Sequence, residues 1–208
     1  MVKVFLFEEI YMFQRVLWAL FVLGMVSSAA IARESIKAGS YQIYFSPDDA
    51  LADRLIDLID EEDKSIFAAV YCLMHPGIVK ALQRAKERGV EVEVLVDPFS
   101  VKARSPLKRL VQSGVTVFVW DPLSKNHQES SKKSSRRSLM HDKFCLFGRG
   151  IVWTGSFNFT REAHFSNCEN AIVLRDLEAY QRYYREYQEI KRSGCRSHEE
   201  YLILHGKR

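Results

Sequence analysis

The alternation of short apolar runs with amphipathic runs between residues 41 and 120 is the feature that most constrains the fold. Runs such as YQIYF at 41–45 and SIFAAVYCLM at 65–74 have the β-branched and aromatic content of strands. The segments between them place apolar residues at helical spacing. The order βαβαβαβ predicts the α/β class, with an α-β-α sandwich around a central mixed, largely parallel sheet.

Two helices have clear boundary signals. The first is predicted to start with Ser46 as N-cap and Pro47 at the first helical position, because proline is favoured there. The second is predicted to start at Pro76 and to end at Gly89, the residue type that most often ends a helix. Both carry a leucine- and isoleucine-rich face that we expect to lie against the sheet.

The N-terminal segment predicts an export signal. Residues 16–32 carry no charge and follow Arg15, and the small residues up to Ala32 fit cleavage before Arg33. The alternative is an uncleaved membrane anchor, although the segment is short for a hydrocarbon core of about 30 Å. Both alternatives predict an exported protein, periplasmic or secreted, or one anchored to a membrane. The true start is predicted at Met12, since two acids precede it where a signal peptide is normally basic.

The remaining chain predicts one catalytic domain over residues 33–194, followed by a tail over 195–208. With 47% hydrophobic and 27% charged residues, the composition excludes a disordered or fibrous protein. Four cysteines without a C-x-x-C pair argue against a structural zinc site. Cys72 and Cys145 lie in apolar runs, which predicts buried thiols.

A polar, serine-rich loop is predicted over residues 121–138. Four of its basic residues are candidate substrate-binding groups for a polyanion, although a solvated loop without a task has the same composition. These candidates are Lys132, Lys133, Arg136 and Arg137.

The stretch MHDKFCLFGRGIVWTGSFNFT predicts a hairpin joined at residues 148–150. Because side chains alternate along a strand, His141 and Lys143 share one face, and Ser156 and Asn158 share a face of the neighbouring strand. Lysine, serine and asparagine donate hydrogen bonds, while histidine can attack or transfer a proton. These groups together indicate a site for a phosphate oxyanion.

The spacing H-x-K followed by G-S-x-N resembles the HKD motif of the phospholipase D superfamily. The stretch NCENAIVL is similar to a strand of its small single-motif members, in which a glutamate, here Glu169, orients the catalytic histidine. The likeness extends from Tyr41 to the final helix. It is greatest to the small bacterial endonucleases, and the mitochondrial cardiolipin hydrolases belong to the same branch.

The resemblance implies a metal-independent phosphodiesterase without a cofactor. Because the chain has one H-x-K, it implies a homodimer whose two copies of His141 flank one phosphodiester, with a phosphohistidine intermediate. Nucleic acid is the expected substrate, so the expected activity is that of a nuclease. The alternative is a phospholipase D or cardiolipin hydrolase acting on an anionic phospholipid, to which the N-terminal segment would add membrane association.

One motif position departs from the family pattern. The family's aspartate, five residues after the lysine, falls on Gly148. That acid supports the geometry of the motif, so retained chemistry is the main expectation. A non-catalytic, polyanion-binding relative is the alternative of a different class.

Overall fold

The computed structural model describes residues 39–102, 105–121 and 138–206. In chain order, the elements are β1 (Ser40–Phe45), α1 (Leu51–Glu61), β2 (Ser65–Val70), α2 (Pro76–Glu87), β3 (Glu91–Val96), a 3₁₀ turn (Pro98–Ser100), α3 (Leu107–Gln112), β4 (Thr116–Trp120), β5 (Lys143–Phe147), β6 (Ile151–Gly155), α4 (Arg161–Phe165), β7 (Asn170–Arg175), α5 (Leu177–Gly194), β8 (Cys195–Ser197) and α6 (His198–His205).

The strands form one mixed sheet in the order β1-β7-β6-β5-β2-β3-β4-β8. The α/β class and the mixed sheet confirm the prediction, but the expectation of a largely parallel sheet is wrong. Only β2–β3 and β3–β4 are parallel, and the five other neighbouring pairs of the described sheet are antiparallel. The physical reason is that β5 pairs antiparallel with β2 and is joined to β6 by a tight hairpin turn, and β7 and β1 continue this alternation of direction towards the sheet edge.

Helices cover both faces of the sheet and complete the predicted sandwich. On one face, Ile66, Ala68 and Val70 of β2 pack in a core that includes buried residues of α1, α2 and α3. On the other face, Phe67 and Ala69 pack with residues of α5. The continuous apolar sequence of β2 follows from this burial on both sides.

The start of α1 differs from the prediction. Helix α1 begins at Leu51, not at Pro47, because the Ser46 side chain makes other hydrogen bonds. The Ser46 hydroxyl donates to the carbonyl oxygen of Asn167 (2.8 Å) and accepts from the backbone N–H of Glu169 (3.1 Å). Ser46 thus joins the end of β1 to the segment that enters β7.

Helix α2 begins at Pro76 as predicted. The Nδ1 atom of His75 accepts a hydrogen bond from the backbone N–H of Ile78 (3.3 Å), so His75 is the N-cap of this helix. Gly89 follows the helix with a φ of 90°, a left-handed conformation that glycine adopts without strain.

Two parts of the predicted domain organisation lie outside the described residues. These are the signal or anchor over residues 1–32 and residues 122–137 of the predicted loop. The described part of the tail forms β8 and α6, and β8 extends the sheet beside β4. No helix in the described part of the chain is long and apolar enough to cross a membrane.

The cysteines are free thiols. Cys72 and Cys145 are buried, as their apolar surroundings in the sequence predict. Cys168 is exposed and Cys195 is partly buried.

Candidate active site

The candidate site residues meet at one edge of the sheet because of the strand directions. Strand β5 begins at Lys143, β6 ends at Gly155 and β7 begins at Asn170. Since β5, β6 and β7 are successive antiparallel neighbours, these three ends lie side by side. Strand β2 ends at Val70, which is paired with Lys143, so its carboxyl end joins the same edge.

His141 and Lys143 are in direct contact. The Lys143 ammonium nitrogen lies 3.1 Å from Nδ1 of His141 and donates a hydrogen bond to the His141 carbonyl oxygen (2.5 Å). His141 is exposed, whereas Lys143 is buried. The expectation that both lie on a strand is wrong in detail, because His141 precedes β5. The structure nevertheless brings the two side chains together.

Burial changes the acidity of the lysine. It lowers the pKa of Lys143, and the nearby charges of Asp142 and Glu169 oppose the shift only in part. The Lys143 ammonium therefore releases its proton at a lower pH than an exposed lysine would.

Ser156 and Glu169 form a second contact pair. The Ser156 hydroxyl donates to Oε2 of Glu169 (2.5 Å) and accepts from the backbone N–H of Asn170 (3.0 Å). The other carboxylate oxygen of Glu169 accepts from the Asn167 side chain (3.0 Å). Among the described residues, these side chains, and not His141, are the side-chain hydrogen-bond partners of the Glu169 carboxylate. The predicted orienting role of Glu169 toward His141 stays a prediction.

The backbones of β6 and β7 lie very close to each other where β6 ends, at Gly155. A Cβ atom at Gly155 would lie 2.2 Å from the carbonyl oxygen of Asn170, a distance that no side chain tolerates. Glycine is therefore required by the close backbone approach that the sequence predicts at this position.

The expectation that Ser156 and Asn158 share a strand face is wrong, because β6 ends at Gly155 and both residues follow it. Asn158 lies between two core residues. Phe157 and Phe159 are 0% and 1% exposed, and their rings belong to the hydrophobic core. The Oδ1 atom of Asn158 is buried without a hydrogen-bond partner among the described residues. A buried unpaired acceptor is costly, so this amide oxygen is a locally unfavourable feature of the segment that follows β6.

Gly148 lies at the opposite end of β5 from Lys143. A Cβ atom there would lie 2.7 Å from the Ser65 hydroxyl oxygen and 2.8 Å from Cβ of Lys64. The backbone N–H of Gly148 donates to the carbonyl oxygen of Ser65 (2.8 Å). The turn around Gly148 is thus closed over the start of β2, and no space remains for the family's aspartate.

Three further residues at this edge are not identified by the sequence reasoning. The Tyr71 ring contacts the His141 ring, with centroids 4.6 Å apart, and stacks on Phe99 at 5.1 Å. The Lys102 ammonium lies 3.7 Å from the centroid of the Phe99 ring. The available signal is their position, since they follow the carboxyl ends of the parallel strands β2 and β3, where α/β proteins place functional residues.

The predicted substrate-binding residues lie outside the described part of the chain. These are Lys132, Lys133, Arg136 and Arg137. Within the described ranges, no group of three or more histidine, cysteine, aspartate or glutamate side chains is placed to hold a metal ion.

The family model for the cardiolipin synthase, PLD-like domain matches residues 55–191, more than half of the chain. A phospholipase D of Rickettsia conorii is 25% identical over 182 residues, which cover 82% of this chain and 84% of the relative. A mitochondrial cardiolipin hydrolase of Xenopus tropicalis is 27% identical over 143 residues, covering 68% of this chain and 61% of the relative.

A solved structure agrees with these matches. The phospholipase D family member Nuc of Salmonella typhimurium is 27% identical and superposes with a TM-score of 0.64, covering 77% of this chain and 98% of Nuc. The family match, the fold and the contact of His141 with Lys143 agree, and the chain belongs to the phospholipase D superfamily of phosphodiester hydrolases.

Proposed function

We propose that the protein is a metal-independent nuclease that cleaves a phosphodiester through a phosphohistidine at a homodimer interface. The observation that carries the proposal is the exposed imidazole of His141 beside the buried ammonium of Lys143. An exposed nucleophile next to a cation suits attack on a phosphorus atom whose oxygens carry negative charge.

In the first step, Nε2 of one His141 forms a bond to phosphorus. The bond from phosphorus to the leaving oxygen breaks, and His141 of the partner subunit gives that oxygen a proton. In the second step, the partner subunit's His141 takes a proton from water, whose oxygen attacks phosphorus. The bond from phosphorus to Nε2 then breaks, which frees the enzyme.

The other site residues have stabilising roles in this proposal. Lys143 and the Asn158 side-chain N–H donate to the non-bridging oxygens, and these hydrogen bonds stabilise the charge of the transition state. Ser156 either donates to the same oxygens or keeps its bond to Glu169, which fixes the hydroxyl at the edge of the site. These donors supply the electrostatic role that a metal ion has in other phosphodiesterases.

The dimer is inferred from the number of histidines that the mechanism requires. Two histidines are needed, one as nucleophile and one as acid and base, and the chain has one H-x-K. A two-fold axis beside the sheet edge would bring both copies of His141 to one phosphorus.

A subunit-mixing experiment tests the shared site. Wild-type protein is mixed with the variant His141→Ala and allowed to exchange subunits, and turnover is measured against the wild-type fraction. Two required histidines predict a quadratic dependence, so that an equal mixture retains about a quarter of the activity. A linear dependence, with about half retained, would show that each chain carries an independent site.

A phospholipase D activity is the second candidate, because the curated relatives include a phospholipase D and a mitochondrial cardiolipin hydrolase. The same chemistry would serve a lipid phosphodiester. A panel of single-stranded DNA, double-stranded DNA, RNA, cardiolipin and phosphatidylcholine, each with and without EDTA, distinguishes the candidates. Turnover of nucleic acid with EDTA present supports the proposal, whereas turnover of lipid alone refutes the nuclease.

A further inference from the structure

We propose that Tyr71, Phe99 and Lys102 form a stacking subsite for the base of a single-stranded nucleic acid, next to the phosphodiester that His141 attacks. The inference rests on the proposed function, because it names the substrate class of the same site. These three residues are called the aromatic subsite.

The aromatic subsite is continuous with the candidate active site. The Tyr71 ring is tilted by 56° against the His141 ring at 4.6 Å, and the Lys143 ammonium lies 5.3 Å from the Tyr71 centroid. The Tyr71 ring also stacks on Phe99, whose ring is nearly parallel to it, with an interplanar angle of 14°. A group bound at Phe99 is thus separated from the attacking imidazole by one side chain.

The outer ring of the subsite is open to solvent. Phe99 is 45% exposed, so its ring is accessible to a ligand. The exposed Lys102 places its ammonium 3.7 Å from the Phe99 centroid, a cation–π contact. In the proposed complex, a base that stacks on Phe99 takes the place of this cation, and the displaced ammonium binds a neighbouring phosphate.

The position of Phe99 is fixed by buried polar residues. The Asp97 carboxylate accepts from the backbone N–H of Phe99 (2.8 Å) and from the backbone N–H of Met140 (3.1 Å). The Ser100 hydroxyl donates to the carbonyl oxygen of Tyr71 (3.0 Å). Asp97 and Ser100 are 3% and 0% exposed, so the turn is held both to the end of β2 and to the segment that enters the active site. A preorganised ring loses little entropy when it binds a ligand.

The chemistry of the subsite favours a base over a lipid. Flat aromatic rings stack on the π-face of any nucleobase, and a lysine beside them binds the sugar–phosphate backbone. A lipid phosphate would use the lysine but would leave the fixed ring pair without a partner. The paired bases of a duplex are stacked on each other, so the subsite selects a single strand.

The test measures the binding of oligonucleotides to the variant His141→Ala, which cannot cleave them. The probes are two oligonucleotides of equal length and charge, one with a 2-aminopurine base at the cleaved position and one with an abasic site there. The quantity of interest is the ratio of their dissociation constants. We expect a ratio of about 10 or more, and quenching of 2-aminopurine on binding, because stacking contributes that much per base.

The variant Phe99→Ala should reduce the ratio to near one and abolish the quenching, and Phe99→Trp should restore both. Tyr41→Ala is the matched control, because Tyr41 is 67% exposed on β1 and lies at the far end of that strand from the site. The control should keep the ratio of the parent protein.

Two results would overturn the subsite. One is an equal ratio in the parent and in Phe99→Ala. The other is binding to cardiolipin vesicles that falls with Phe99→Ala while oligonucleotide binding does not change, which would place a lipid on the ring. Since the test does not depend on hydrolysis, a wild-type protein that fails to cleave any phosphodiester would refute the proposed function and leave this measurement intact.

Discussion

The ammonium of Lys143 lies 3.1 Å from Nδ1 of His141, so the lysine contacts the ring nitrogen that does not attack in the proposed mechanism. An ammonium is a donor only, and in this contact Nδ1 is the acceptor. An imidazole that accepts at Nδ1 carries its proton at Nε2. Attack by Nε2 therefore requires two changes. Lys143 moves from the ring to the substrate oxygens, and the imidazole proton moves from Nε2 to Nδ1. The Nδ1–H group then donates a hydrogen bond to a carboxylate such as that of Glu169.

The first prediction concerns alkaline pH. The ammonium of Lys143 is the form that binds the phosphate oxygens, and burial lowers its pKa from the ordinary value of 10.5. Activity should therefore fall as the pH rises, with a midpoint in kcat/KM below 10.5. A pH–rate profile measures this midpoint. The exposed-lysine variant Lys108→Ala should keep the same profile, and a rate that stays constant up to pH 10.5 would contradict the assignment.

The second prediction concerns Glu169. Replacement by glutamine preserves the shape but removes the charge that the Ser156 hydroxyl and a protonated Nδ1 of His141 need. We expect kcat to fall by about 10-fold to 100-fold, with little change in the melting temperature. Glu189→Gln, in an exposed ion pair on α5, is the control. Unchanged kcat in Glu169→Gln would show that its bonds to Ser156 and Asn167 are structural only.

Much of the fold could be predicted because its signals are local. Strand β2 and helix α2 have continuous or periodic apolar patterns with proline and glycine at the ends, and both are found where expected. The direction of a strand pair is not local. Nothing in the composition of β5, β6 or β7 distinguishes a parallel from an antiparallel neighbour, so the sheet was expected to continue the pattern of its first half.

The site was predictable to the extent that short separations along the chain determine it. The contact of His141 with Lys143 depends on two residues of separation, and it forms although His141 lies outside β5. The subsite around Tyr71 and Phe99 joins segments from different strands. Such contacts depend on the sheet order, which the sequence does not specify by pattern alone.

The third prediction concerns His75 and the stability of α2. Burial, then the neighbouring His164 and Arg161, lower the pKa of His75 from its ordinary value of 6.5. The unfolded chain therefore takes up a proton near pH 6.5 that the folded chain does not, and the free energy of unfolding falls as the pH falls through this range. Denaturant unfolding between pH 8 and pH 5 measures the slope. Burial also lowers the pKa of His198, which adds to the same slope. The variant His75→Asn keeps a capping side chain but cannot titrate, so it should reduce the slope, and an unchanged slope would assign it to other groups.

The fourth prediction concerns Gly148, where the family has an acid. Because a Cβ atom would meet the Ser65 hydroxyl at 2.7 Å, Gly148→Ala and Gly148→Asp should both destabilise the fold, by about 1–3 kcal/mol. Neither should increase turnover, since Gly148 lies at the end of β5 opposite to Lys143. Thermal unfolding and kcat measure the two effects.

The control for this substitution is Arg149→Ala in the same turn. Arg149 forms an ion pair with the exposed Asp63, so its loss should change stability little. If Gly148→Asp instead kept full stability and raised kcat several-fold, the start of β2 would have shifted to make room for the new side chain. The glycine would then be a lost supporting acid, and the active site of this chain a weakened form of the family's.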